Sequence, residues 1–127
     1  MSARILVADD DRVLSLMICG VLRDAGHNPV PAFDAMQAVM FAMKSPQPDL
    51  VLLDISMPGG TGVEALKKLQ ISSKTAHIPV IVVSGSTDAT MPDQVRALGA
   101  RQYLKKPVEP EQLLLAVNKA LRRSSGA

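Results

Sequence analysis

Three aspartates stand where short apolar segments end. Asp9 and Asp10 follow Ile5–Ala8, and Asp54 follows Leu50–Leu53. A short apolar run bounded by turn-forming residues predicts a strand buried on both faces, although a buried helix segment has the same pattern. A buried carboxylate is costly unless it is paired or holds a metal, so these aspartates indicate chemistry. The alternative for Asp54 is a solvated residue that starts a turn.

Two more polar side chains follow later segments of the same kind. Ser84 comes after Ile78–Val83, and Lys106 comes after Arg101–Lys105. The carboxyl ends of parallel strands share one edge of a sheet, where Mg²⁺ would relieve the repulsion between clustered carboxylates. A carboxylate nucleophile, metal-binding acids, a hydroxyl and a lysine suit an aspartyl-phosphate site. Taken singly, the Asp-Asp pair could cap a helix and Lys-Lys-Pro could be a solvated strand end.

The elements that would position these residues alternate between strand and helix five times. This alternation predicts an α/β fold, a flavodoxin-like, doubly wound sheet of five parallel strands with five helices. Pro29 and Pro31 lie in the second strand, Asn28–Ala32. Each proline removes a hydrogen-bond donor from the ladder, so this strand belongs at an edge. The strand order 2-1-3-4-5 meets that requirement and puts the switch point between strands one and three.

The first helix lies between Asp11, a predicted N-cap, and Gly26, a predicted C-terminal stop. Helical spacing predicts that its inward residues are Val13, Leu14, Met17, Ile18, Val21 and Leu22. Cys19 lies within this pattern, so we expect a small buried apolar side chain rather than a reactive thiol.

The second helix, Asp34–Lys44, has an unusually wide apolar surface. Its predicted inner stripe consists of Ala35, Ala38, Val39 and Ala42. Four more apolar side chains extend beyond it: Met36, Met40, Phe41 and Met43. Packing within the molecule is the expected role of the methionines, and a partner-binding surface is the alternative.

Capping and periodicity predict the other three helices. Thr61 and Glu64 have the spacing of a capping box before the third helix, and the fourth spans about Pro92 to Gly99. Pro110 opens the last helix. The residues predicted to face inward on the third and fifth helices are Val63, Leu66, Leu69, Leu113, Leu114, Val117 and Leu121.

The composition is that of an ordinary globular protein. We expect one domain over residues 1–127, with a core from about 4 to 122 and a polar tail at 123–127. Of its 127 residues, 47% are hydrophobic, only 2% are aromatic, and the net charge is +2, so we expect no direct binding to nucleic acid. We find neither a signal peptide nor a membrane-spanning run and expect a cytoplasmic protein. His27 and His77 are expected outside the site, at the surface or in loops.

Together these motifs resemble the receiver domain of response regulators in two-component signalling, in particular the stand-alone, chemotaxis-regulator type. The resemblance runs from Arg4 to about Arg122. It rests on four motifs in this order: Ile5–Asp11, Asp54–Pro58 with Gly62, Ser84-Gly85, and Tyr103–Pro107. Ala8, in place of a larger branched residue, is a departure without evident chemical consequence.

The resemblance implies a role for each site residue. Asp54 is the implied phosphoacceptor, and Mg²⁺, or Mn²⁺ in its place, would bind Asp9, Asp10, Asp54 and the backbone carbonyl of Ser56. Lys106 would contact the phosphoryl group. Ser84 would be the switch hydroxyl and Tyr103 the aromatic that turns inward, whereas Lys105 would be solvated.

The resemblance also implies partners and kinetics. Small neutral residues, Ser56 and Ser86, occupy the positions associated with dephosphorylation rate, which predicts slow to moderate self-hydrolysis. A histidine kinase or a histidine phosphotransfer protein would donate the phosphoryl group. A downstream protein would bind the face made by helix four, strand five and helix five, near Arg96, Arg101 and Lys119. The protein would be a monomer or weak homodimer with no membrane partner, acting alone or as a piece of a longer regulator.

Two other classes of function fit less well. An aspartate-nucleophile phosphatase would carry an acid two residues after Asp54, where Ser56 stands. A module that binds partners without phosphorylation would have no need of the acids, Ser84 and Lys106 together. Nucleotide binding through Gly59–Gly62 fails because no P-loop lysine follows in the required frame.

Overall fold

The computed structural model describes residues 2–57 and 62–124. The five strands are β1 (Arg4–Ala8), β2 (Asn28–Ala32), β3 (Leu50–Asp54), β4 (Val80–Ser84) and β5 (Gln102–Lys105). The five helices are α1 (Arg12–Asp24), α2 (Ala35–Met43), α3 (Gly62–Ile71), α4 (Met91–Ala97) and α5 (Pro110–Ser124). The predicted Thr61 capping residue, Pro58–Gly60 and most of the C-terminal tail lie outside the described residues.

All four strand pairings are parallel, and the order is β2-β1-β3-β4-β5. The predicted fold and strand order are therefore confirmed. Pro29 and Pro31 lie in β2 at the edge of the sheet. The N–H of Asn28 and the carbonyl of Ala32 bond towards β1, so the alternate positions 29 and 31 face the open side, where the ladder needs no donor.

Both faces of the central strands are buried. One cluster packs the sheet against α2, α3 and α4, and contains Leu6, Val51, Leu53, Val80 and Val82. The other packs it against α1 and α5, and contains Ile5, Val7, Leu50, Leu52, Ile81 and Val83. Alternating side chains of each strand thus enter opposite layers, which explains why β1, β3 and β4 read as continuous apolar runs.

The ends of α1 are as predicted, but its inward face is not. Asp11 Oδ1 accepts hydrogen bonds from the backbone N–H groups of Val13 and Leu14, both at 3.1 Å, and Gly26 follows the helix with φ +93°. The residues of α1 that are buried are Ser15, Ile18, Cys19 and Leu22. Val13 and Met17 are 71% and 63% exposed, so their predicted burial was wrong. The apolar pattern of α1 is wider than the stripe that reaches the core, and the small Ser15 completes that stripe.

Other differences are small. Strand β4 begins at Val80 rather than Ile78, because the N–H of Ile78 closes a turn onto Thr75 and Pro79 has no N–H to donate. Cys19 is buried as predicted, and burial raises the pKa of its thiol. His27 lies in the loop before β2, away from the predicted site, but it is buried, and its Nδ1 accepts a hydrogen bond from the N–H of Ala3 at 3.1 Å.

Candidate functional site

Three carboxylates meet at the carboxyl edge of β1 and β3. Ala8 pairs with Leu53 in the parallel register, so Asp9 follows β1 beside Asp54, the last residue of β3. Carboxylate oxygens of Asp9, Asp10 and Asp54 all lie within 4.8 Å of one another. Asp9 and Asp54 are buried and Asp10 is exposed. The predicted convergence of these acids is therefore present in the structure.

Backbone N–H groups hold one oxygen of each buried acid. Asp9 Oδ1 accepts from the N–H of Asp11 at 2.9 Å, and Asp54 Oδ1 accepts from the N–H of Ser56 at 2.9 Å. In both cases an aspartate bonds the backbone two residues later, a turn that favours aspartate at its first position. The N–H of Asp11 thus orients Asp9, besides the predicted role of the Asp11 side chain as a helix cap. These orienting bonds were not predicted, although an aspartate two residues before each donor was a usable signal.

Lys106 joins the two buried acids. Its Nζ lies 3.0 Å from Asp9 Oδ2 and 3.3 Å from Asp54 Oδ2, and 22% of its side chain is exposed. The backbone N–H of Lys106 donates to the carbonyl of Ser84 at 2.8 Å, which fixes the end of β5 beside the end of β4. Lys105 is exposed, as predicted. The lysine immediately before Pro107 is thus the one that reaches the acids.

The surroundings raise the pKa values of both Asp54 and Lys106, for different reasons. Burial raises the pKa of Asp54, and the charge of Asp9 adds to this, against the lowering effects of the Ser56 N–H and Lys106. Burial lowers the pKa of Lys106, but its hydrogen bond to Asp9 and the charge of Asp54 outweigh that, so the net shift is upward. We conclude that Lys106 stays charged at neutral pH while an ionised Asp54 is disfavoured by its surroundings.

Asp54→Asn is expected to raise the free energy of unfolding at neutral pH in EDTA. A carboxyl whose folded pKa is raised favours folding when protonated, so its stabilising contribution is present below the unfolded pKa. That contribution is lost as pH rises through the higher folded pKa, and a neutral asparagine avoids the loss. Denaturant unfolding at several pH values should show the advantage of the variant shrinking towards acidic pH. An advantage that grows on acidification would contradict the upward shift.

Three serines lie around the acids. Ser84 ends β4 and is fully buried, and its Oγ accepts from the N–H of Ser86 at 3.0 Å. Ser56 Oγ is 3.5 Å from Ser84 Oγ, and the residue is exposed. The bond from Ser86 uses a lone pair of the Ser84 hydroxyl, so its proton remains available to another acceptor. A loop shift that moves Ser86 would therefore move the hydroxyl.

Tyr103 is not part of this cluster. It lies half-buried in β5, opposite Val82, and packs against the layer under α2, α3 and α4. Within the described residues no hydrogen bond joins its hydroxyl to the acids, Ser84 or Lys106. It borders a surface groove of about 400 Å³ between β5 and α5, which also includes Leu115 and Lys119.

The donor set suits a hard divalent cation. Asp9, Asp10 and Asp54 each offer a carboxylate oxygen, and Mg²⁺ binds through a few carboxylates while keeping several waters. The exposed Asp10 leaves the solvent side open for those waters. The ammonium of Lys106 contacts Oδ2 of Asp9 and Oδ2 of Asp54 but leaves Asp10 without its charge. A cation held by the three acids would neutralise the rest of the cluster.

The chain is similar to known proteins over nearly its whole length. The family described as the response regulator receiver domain matches residues 5–118. Protein PilH of Pseudomonas aeruginosa is 37% identical over 119 residues, which cover 94% of this chain and 98% of PilH. The phosphate regulon transcriptional regulatory protein PhoB of Escherichia coli is 39% identical over 127 residues, which cover 98% of this chain but 54% of PhoB. The chain therefore spans about half the length of that relative.

Solved structures show the same fold. The chemotaxis protein CheY4 of Vibrio cholerae superposes with a TM-score of 0.86 at 30% identity, over 95% of this chain and 100% of that one. NtrX of Brucella abortus superposes with a TM-score of 0.88 at 32% identity, over 98% of this chain and 28% of NtrX. No helix within residues 2–57 and 62–124 is long and apolar enough to cross a bilayer. The match over nearly the whole chain, together with the sheet order, shows that this protein belongs to the family of response regulator receiver domains.

Proposed function

We propose that Asp54 accepts a phosphoryl group from a phosphohistidine in a Mg²⁺-dependent reaction and thereby switches a protein-binding surface. The observation that carries this proposal is the environment of Asp54. Its buried carboxylate lies within 4.8 Å of two other acids and 3.3 Å from Lys106 Nζ. Burial raises the pKa of Asp54 despite its contacts with Lys106 and the Ser56 N–H, so a bound divalent cation would supply the positive charge that this carboxylate still lacks.

The transfer exchanges one bond for another. An oxygen of the Asp54 carboxylate attacks phosphorus in line, the P–N bond of the phosphohistidine breaks, and the imidazole leaves and takes a proton from solvent. When bound at the acids, Mg²⁺ would neutralise phosphoryl oxygens as charge develops on them. The Ser56 N–H holds Asp54 Oδ1 at 2.9 Å and so fixes the orientation of the carboxylate before attack. Lys106 would exchange part of its contact with Asp54 for a phosphoryl oxygen.

The donor would be a histidine kinase or a histidine phosphotransfer protein. The exposed side of the site, at Asp10 and Ser56, is where its histidine would approach. The phosphoryl group adds close to two negative charges. Its loss by hydrolysis would be slow to moderate, because neither Ser56 nor Ser86 can act as a base towards the attacking water.

The output would arise from Ser84. Its hydroxyl proton could be donated to a phosphoryl oxygen in place of Ser56 Oγ, 3.5 Å away, which would pull Ser86 and the loop before α4 inward. The bond from the Lys106 N–H to the Ser84 carbonyl couples the ends of β4 and β5, so β5 and Tyr103 would respond. The surface of α4, β5 and α5, with exposed Arg96, would then change its affinity for a target protein.

Intact mass after incubation with acetyl phosphate tests this function. Wild type should gain one phosphoryl group only when Mg²⁺ is present, and Asp54→Asn should gain none. Asp49→Asn is the matched control, because Asp49 is exposed just before β3, at the end of the strand opposite Asp54, and its side chain accepts a hydrogen bond from the N–H of Arg4. It should label like wild type. Stable labelling of Asp54→Asn would overturn the assignment.

A further inference from the structure

Helix α2 exposes a stripe of methionines. Met36, Met40 and Met43 are 74%, 58% and 38% exposed, and they follow one another at helical spacing. No charged residue lies between Asp34 and Lys44. The buried side of the same helix is already filled by alanines. The expectation that the methionines pack within the molecule was therefore wrong for Met36 and Met40. Exposed apolar surface of this kind marks interaction sites.

A groove lies beside the stripe, between α2 and α3. It has a volume of about 230 Å³. It is lined by the small residues Ala35 and Ala65, by Met36 and Met40, and by the exposed charged residues Glu64 and Lys68. Exposed apolar side chains and charges of both signs therefore occupy the same surface. Such a surface is suited to an isologous contact, in which a two-fold axis pairs the same patch of two copies.

The charges around the groove are self-complementary: acids lie near one end of the two helices, and lysines lie nearer the other. Both helices join parallel strands and run in the same direction, so Asp34 and Glu64 lie at one end and Lys44 and Lys68 lie nearer the other. All four are exposed, and among the described residues no ion pair within 4.0 Å joins any of them. A two-fold axis across α2 would make the α2 helices of the two copies antiparallel. It would bring the acids of one chain opposite the lysines of the other.

We propose that the α2–α3 face, defined by Met36, Met40, Met43, Glu64 and Lys68, binds a second copy of this chain in an antiparallel, two-fold arrangement. The face lies on the opposite side of α3 from α4 and β5. Its use would leave the proposed output surface free. The inference does not depend on phosphoryl transfer, so Asp54→Asn should associate like wild type.

Sedimentation velocity over a wide range of protein concentration tests the proposal. Wild type should shift from monomer towards dimer as concentration rises, and Met40→Lys should remain a monomer because it puts an ammonium at the centre of the apolar contact. Leu16→Lys is the matched control: Leu16 is 73% exposed on α1, on the other side of the sheet, and its variant should associate like wild type. A wild type that stays monomeric throughout, or a Met40→Lys variant that dimerises normally, would overturn the proposal.

A charge exchange tests the geometry. Glu64→Lys should raise the dissociation constant about tenfold, since two-fold symmetry repeats each new repulsion. Adding Lys68→Glu should restore the wild-type constant, because the exchanged residues again face opposite charges across the axis. Circular dichroism on each variant checks that the fold is kept. A double variant that associates no better than Glu64→Lys would contradict the antiparallel arrangement.

Discussion

Replacing Lys106 by methionine is expected to lower the free energy of unfolding by about 2 kcal/mol at neutral pH in EDTA. The ammonium is the cation that pairs with the buried oxygens of both Asp9 and Asp54, at 3.0 and 3.3 Å. Methionine keeps the apolar stem but leaves two buried carboxylates facing each other. The loss is placed below the upper range for buried pairs because part of the lysine side chain is exposed and solvent screens the charges there.

Added Mg²⁺ should stabilise Lys106→Met more than it stabilises wild type, because the cation then neutralises acids that no lysine shares. Denaturant unfolding with EDTA or Mg²⁺ measures both effects. Lys105→Met is the control, since Lys105 is the exposed neighbour and has no ion pair within the described part of the chain; it should change stability little. Equal losses in the two variants would show that the Lys106 contacts contribute nothing specific.

Gly62→Ala is expected to destabilise the fold by about 1–3 kcal/mol and to weaken the response to Mg²⁺. A Cβ at this position would collide with the backbone carbonyl of Ile55, so either α3 or the loop after β3 must move. That loop carries the Ser56 N–H, which holds Asp54 Oδ1. The substitution therefore affects the site through the backbone, without changing any charged residue.

Gly20→Ala is expected to change the stability in the opposite direction. A Cβ at Gly20, within α1, meets no atom within 4 Å, so the variant should gain about 0.5–1 kcal/mol from helix propensity. Thermal unfolding in EDTA and in Mg²⁺ compares the two alanine variants. If Gly62→Ala were as stable as Gly20→Ala and bound Mg²⁺ like wild type, the close approach of α3 to the loop would be irrelevant to the site.

Much of the fold could be predicted because local patterns here agree with the tertiary structure. The prolines of β2 allow only an edge strand, and the apolar runs of β1 and β3 need cover on both faces. Asp11 and Gly26 mark the ends of α1 through backbone chemistry that a short sequence window contains. The exposed Val13 and Met17 could not be predicted in this way, because helical spacing does not say which of two adjoining stripes meets the sheet.

The residues that gather at the site could be predicted from the sequence, whereas most of the contacts between them could not. The acids and Lys106 follow separate strands, and parallel topology alone brings strand ends together. That Lys106 bridges Asp9 and Asp54 depends on register and on the bond that ties Lys106 to Ser84. Those features arise only when the sheet assembles. The chemical roles of the site residues stay predictions, including those of Tyr103 and of the Ser56 carbonyl.

The most direct test of the central claim is to locate the phosphoryl group. An aspartyl phosphate is reduced by borohydride to homoserine, so peptide mass spectrometry after labelling with acetyl phosphate and Mg²⁺ reads the acceptor as a changed residue. We expect homoserine at position 54 alone, and none when Mg²⁺ is replaced by EDTA. Homoserine at position 9 or 10, or a stable phosphoryl group on a serine, would contradict it.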